Sequence, residues 1–118
     1  MTITSKGQPR DFDDLLGKSI DETLTSLFSR EVVEALYFHL KKFHSLPKEQ
    51  VPQKLETLNL TLERTFGQPT SRTIGKAIAK RLYAKLEFNF PRHNNPGLTL
   101  LDYVEEAKKK LSHNNRQV

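Results

Sequence analysis

The chain has 118 residues, 36% of them hydrophobic and 28% charged, which fits one compact domain with a modest core and leaves little room for two. Its 19 lysines and arginines outnumber 14 aspartates and glutamates for a net charge of +5; this basic balance permits contact with nucleic acid, an acidic partner or an anionic surface and selects none of them. The lack of cysteine excludes disulfides, a thiol nucleophile and cysteine-ligated zinc, and no apolar run approaches the roughly 20 residues of a membrane span.

Residues 1–10 (MTITSKGQPR) have no apolar period, hold Gly and Pro, and read as a disordered tail. They lack the apolar block of a secretory signal, so the expected location is cytoplasmic. A helical domain is expected over 11–112. Asp11 to Leu16 (DFDDLL) reads as an acidic turn. Ser19-Ile20-Asp21-Glu22 then has the spacing of a capping box, predicting a short helix through Leu24, Leu27 and Phe28. Ser29 is a second N-cap, with Glu31 at the positive end of the helix that follows. Val33, Leu36, Tyr37, Leu40 and Phe43 repeat at three and four residues, the clearest amphipathic helix in the chain; it is expected to end near Ser45, before Pro47.

Residues 47–50 read as a single helical turn, and Pro52 as the first position of the next helix. Leu55, Leu58, Leu62 and Phe66 recur at helical spacing and Gly67 follows as a stop. A rival strand reading rests on Leu58, Leu60 and Leu62 alternating with Asn59 and Thr61; the end signals favour the helix. Ser71 is placed as the cap of a helix with Ile74, Ile78, Leu82 and Leu86 on one face, where Gly75 and Ala77 leave room for a close neighbour. Residues 86–90 alternate briefly, as an extended segment on the core, and 92–97 (RHNNPG) read as a loop. Thr99 caps a last helix lined by Leu101, Val104 and Leu111, with three lysines near its negative end. Residues 113–118 read as a second disordered tail. The expected fold is an all-α, single-domain bundle of about five helices.

Several of these residues form a recognisable series: a tyrosine-bearing helix (EALYFHL), a helix ending in Phe66-Gly67, an Ile-x-x-x-Ile helix closing in Leu82-Tyr83-Ala84-Lys85-Leu86, and a helix opening with Leu101-Asp102-Tyr103-Val104-Glu105. The series, over residues 29–111, resembles a family of small archaeal helical domains of unknown function, of the "Nitrosopumilus output domain" type. The resemblance implies an accessory or output module of a regulatory protein. It brings no catalytic residues, and the segment before Ser29 looks like an addition to the common part.

Chemistry-bearing patterns are few. Gly17-Lys18-Ser19 resembles the end of a phosphate loop, but the required glycine five residues earlier is Phe12 and no strand precedes it. A linker and a helix cap explain it better. His39 and His44 are five apart rather than four, so they are expected to point in different directions, while His93 and His113 fall in a loop and a tail. Asp11, Asp13, Asp14, Asp21 and Glu22 form an acidic patch in a polar segment, which favours neither burial nor raised pKa values. No calcium loop and no Gly-x-Ser-x-Gly elbow occur. The expectation is a non-enzyme with no cofactor, no metal and no small-molecule substrate.

On a helix over residues 71–86, Arg72, Lys76 and Lys80 fall opposite the isoleucine stripe with Tyr83 among them, and Arg81 and Lys85 flank it. Such a row could track a phosphate backbone, with Tyr83 to stack on bases; it also fits a plain solvated face. Phe38 and Leu60 break their apolar stripes on neighbouring helices and would make one contact patch if they met in space. Two readings follow. The first is a regulatory or interaction module acting through protein contacts at Phe38, Leu60 and Tyr83, with a protein partner or as a homo-oligomer. The second is a sequence-nonspecific nucleic-acid-associated protein using Arg72, Lys76, Lys80, Arg81 and Lys85.

Overall fold

The computed structural model describes residues 9–91 and 97–116. They form five α-helices and one 3-10 helix: α1 (Pro9–Leu27), α2 (Arg30–His44), the 3-10 helix (Lys48–Gln53), α3 (Leu55–Phe66), α4 (Gln68–Leu86) and α5 (Leu100–Arg116). No strand occurs among the described residues, so the expected all-α bundle is what the chain forms.

The largest departure lies at the start. Residues 11–27 fold as one helix, not as a turn followed by a short capped helix. Ser19 caps nothing: it lies mid-helix, fully buried, and its hydroxyl donates to the Leu15 carbonyl oxygen at 2.8 Å, a back-bond that removes the need for a break. What holds the long helix is its buried stripe, Phe12, Leu16, Ile20 and Leu24. Gly17-Lys18-Ser19 is therefore neither a phosphate loop nor a linker. Gly17 instead faces Pro52: a Cβ at Gly17 would lie 3.4 Å from the Pro52 ring.

The α2 boundaries match their signals. The Ser29 hydroxyl accepts from the Val32 amide at 3.3 Å, and the helix stops where Ser45 adopts a left-handed conformation (φ 52°). The turn after Pro47 is a 3-10 helix that contains Pro52, so α3 starts later than expected, at Leu55. Gly67 (φ 88°) alone separates α3 from α4. α4 accordingly begins at Gln68, with Pro69 in its first turn. Ser71 is buried inside it and its hydroxyl faces Asn59 Oδ1 at 3.5 Å.

α4 is the central helix, packed against α1, α3 and α5. Its contact with α5 is close at Gly75, where an added Cβ would come within 3.2 Å of Leu100 Cβ and 3.3 Å of its backbone nitrogen. Thr99 caps α5 as expected: its amide donates to Asp102 Oδ2 at 2.9 Å, and the Asp102 amide donates to the Thr99 hydroxyl at 3.4 Å. Phe88 and Phe90 are half-buried against the core, as the alternation over 86–90 predicts.

The expected tails shift at both ends. Pro9 and Arg10 belong to α1, and α5 runs four residues past the expected boundary, to Arg116. Residues 1–8 and 117–118, and 92–96 of the loop predicted over 92–97, lie outside the described residues.

Candidate interaction surface

α2 buries Val33, Leu36 and Leu40, half-buries Tyr37 beside them, and presents its remaining residues to solvent. Phe43, the next member of that apolar stripe, does not reach the core. The chain reverses at Ser45, and Leu46, whose amide donates to the Leu40 carbonyl oxygen, is the next buried residue. Phe43 is left 64% exposed, and Phe38 is 62% exposed. The sequence pattern assigned Phe43 to the core, so this surface residue was missed; the signal was Pro47, four residues beyond it, which stops the helix before another turn can follow.

Lys42 joins the two rings. Its Nζ lies 5.6 Å from the centroid of Phe38 and 5.6 Å from that of Phe43. The His39 ring sits 4.8 Å from Phe43 and 5.6 Å from His44, so the two histidines approach each other rather than pointing apart. Lys41 is exposed on the same helix end. Exposed cation–π pairs of this kind contribute about 0.5–1 kcal/mol each. That is enough to bias the Lys42 rotamer and too little to hold it against a better partner.

A second feature lies beside it. α1 and the 3-10 helix enclose a groove of about 650 Å³ with Ile20, Val51 and Pro52 in its lining. Its rim carries Asp13, Asp14, Asp21, Glu22 and Glu49 against Lys18 and Lys48. Tyr37 reaches in from α2 and donates to Asp21 Oδ1 at 3.2 Å, while Lys48 Nζ stands 3.3 Å from the same oxygen and 5.0 Å from the Tyr37 ring. Burial first, then the Asp21 charge and hydrogen bond, push the Tyr37 phenol far above its ordinary pKa. The sequence placed these carboxylates in an exposed polar stretch; the helical course of α1 gathers several of them along one side.

The basic row on α4 is smaller than the sequence implies. Lys76 and Lys80 are exposed and Arg72 is half-buried. Lys85 pairs with Glu22 at 2.9 Å, and Arg81 approaches the same oxygen at 3.8 Å. Both cations are thus turned toward α1. Tyr83 is not on the outer face at all. It is 1% exposed, and its hydroxyl donates to the Tyr103 carbonyl oxygen at 2.8 Å. The wheel placed it among the basic residues opposite the isoleucine stripe; α5, which the wheel cannot see, covers that side of the helix at Tyr83. Tyr83 is withdrawn both as a contact residue and as a stacking platform.

Leu60 is 43% exposed on the outward side of α3. Its helical neighbours Glu56 and Arg64 are exposed and charged, so it is an isolated apolar residue of an ordinary kind. The residue that joins Phe38 is Phe43, not Leu60. Among the described residues no group of three or more His, Asp or Glu side chains is placed to hold a metal ion, and no helix is long and apolar enough to cross a membrane. Comparison with protein families, with curated proteins and with solved structures gives no match to this chain.

Proposed function

We propose that this chain is a non-enzymatic interaction module that works through protein contacts, in the manner of a regulatory output domain. One observation carries it: Phe38 and Phe43, each more than three-fifths exposed, bracket Lys42 on one helix end. Aromatic side chains are enriched in protein interfaces, where they supply large apolar area at little cost in conformational freedom. Neither ring stabilises the fold by burial, so both are available to a partner.

The test is Phe38→Ser/Phe43→Ser, assayed by chemical cross-linking and concentration-dependent light scattering against the parent chain and Leu60→Ser. Association should fall in the double variant and persist in Leu60→Ser, with the urea midpoint of all three nearly unchanged. Contacts unaffected by the double variant would remove the α2 end from the reading.

The nucleic-acid reading keeps the support of Lys76 and Lys80, exposed one helical turn apart. Two such charges give a shallow salt dependence, since the slope of log affinity against log salt scales with the phosphates neutralised. Anisotropy titrations of labelled duplex DNA and single-stranded RNA test it. Binding with a shallow salt slope, abolished by Lys76→Gln/Lys80→Gln, would put that reading first.

A further inference from the structure

The α2 end is basic, and the α1 groove, with five carboxylates in its lining against Lys18 and Lys48, is net acidic. In the groove, Asp21 is engaged by Tyr37 and Lys48, Glu22 by Arg81 and Lys85, and Asp13 accepts from Gln53 Nε2 at 3.5 Å. Asp14 and Glu49 remain on the rim, both exposed and neither in an ion pair with a described residue. Val51 and Pro52 also line the groove, but both are buried, Val51 with 1% of its surface exposed. On α2, Lys41 and Lys42 are exposed beside two uncovered phenyl rings. A cationic helix end is the kind of ligand that a net acidic rim accepts.

Within one copy this contact is not made: neither Lys41 nor Lys42 forms an ion pair with a described residue. Tyr37 already lines its own groove, and at about 100° per residue Lys42 stands about 140° round the helix from it. Lys42 therefore faces away from the groove beside it, whereas Lys41, one turn on from Tyr37, lies on the same side of the helix as that residue. The two features are nevertheless near each other. Phe43 and Lys48 are five positions apart in the chain, a span of at most about 19 Å at roughly 3.8 Å per residue. When two copies exchange the two patches reciprocally, the pair closes about a single two-fold axis, whereas a one-way contact generates a ring or an open chain.

We infer that the end of α2 docks into the α1 groove of a second copy of this chain, Lys41 and Lys42 meeting Asp14 and Glu49. This rests on the interaction-module reading and names its partner. The contact weakens as salt rises, because the meeting charges lie at an exposed rim.

The experiment uses charge reversal from both sides, read by sedimentation equilibrium at low and moderate salt. Lys41→Glu/Lys42→Glu reverses the helix end and Asp14→Lys/Glu49→Lys reverses the rim. All four positions are exposed, and circular dichroism checks that both variants fold. The parent chain should dimerise, and each variant alone should dissociate at least tenfold more readily. An equimolar mixture should recover the dimer, because both reciprocal contacts then pair opposite charges. A parent chain that stays monomeric throughout overturns the second-copy occupant. So does a dimer indifferent to both reversals. In either case the interaction-module reading still stands or falls separately, on capture of another protein that requires Phe38 and Phe43.

Discussion

The Tyr83 hydroxyl donates to the Tyr103 carbonyl oxygen at 2.8 Å and ties the central helix to α5 inside an aromatic cluster. Phe90 packs edge-on to Tyr83, with centroids 5.3 Å apart, and stacks on Tyr103 at 5.1 Å. Burial, then the charges of Glu106 and Tyr103, push the Tyr83 phenol up to about 12 from its ordinary value of 10. The folded state thus holds this proton more tightly than the unfolded chain does. Its contribution is intact below pH 10 and is lost as pH rises from 10 toward 12, by about 2–3 kcal/mol at most. Tyr83→Phe should cost about 1 kcal/mol at neutral pH and make the alkaline loss shallower. Urea unfolding at pH 7, 10 and 11 for both proteins checks it; equal alkaline slopes would defeat the assignment.

Gly75 sets the approach of α4 to α5. A side chain there meets Leu100 backbone nitrogen at 3.3 Å, and backbone at a helix start has little freedom to retreat. Gly75→Ala also gains helix propensity, so its two effects oppose each other. Gly75→Val gains less and intrudes more, and we expect it to destabilise by about 2–3 kcal/mol, as overpacking does. An unfolding midpoint equal to the parent's would mean that the helices part without cost.

Legibility in the sequence followed what each signal measures. Periodicity reports which side of a helix is apolar, and it located α2, α3 and α5 through Leu36, Leu58 and Val104. It fails at the edges of the apolar arc, where a third element decides burial. Tyr83 was assigned outward because the pattern cannot see α5, and Phe43 inward because it cannot see where the core ends. Capping residues carry the same ambiguity. Ser29 and Thr99 cap because the chain before them is not helical. Ser19 has the same local chemistry but sits on a continuous buried stripe, and the packing of Leu16 and Ile20 outweighs the stop. The groove was invisible for a further reason: it needs Lys48 and Tyr37 brought to Asp21, which only tertiary structure supplies.

Glu87 closes α4 in the left-handed region (φ 60°), its amide donating to the Ala84 carbonyl oxygen at 3.1 Å. A residue with a Cβ pays roughly 1–2 kcal/mol for that conformation, whereas glycine adopts it freely but loses more freedom on folding. The balance favours glycine. Glu87→Gly should raise stability by about 0.5–1 kcal/mol, measured by urea unfolding. A destabilised variant would show that the Glu87 side chain holds the helix end by some contact of its own.

Glu22 decides how much positive charge α4 presents. Its carboxylate meets both Lys85 and Arg81, and being nearly half-exposed it contributes little to stability; pairs of this kind are worth about 0–1 kcal/mol. Glu22→Gln should therefore shift the unfolding free energy by less than about 1 kcal/mol. It should change electrostatics more, because Lys85 and Arg81 then join Lys76 and Lys80 as unneutralised cations on one helix. Weak, salt-sensitive binding to single-stranded RNA should strengthen in Glu22→Gln, with a steeper salt slope by roughly one to two charges. If binding and slope match the parent chain, α4 is not the surface that meets polyanions, and Lys76 and Lys80 are an ordinary solvated face.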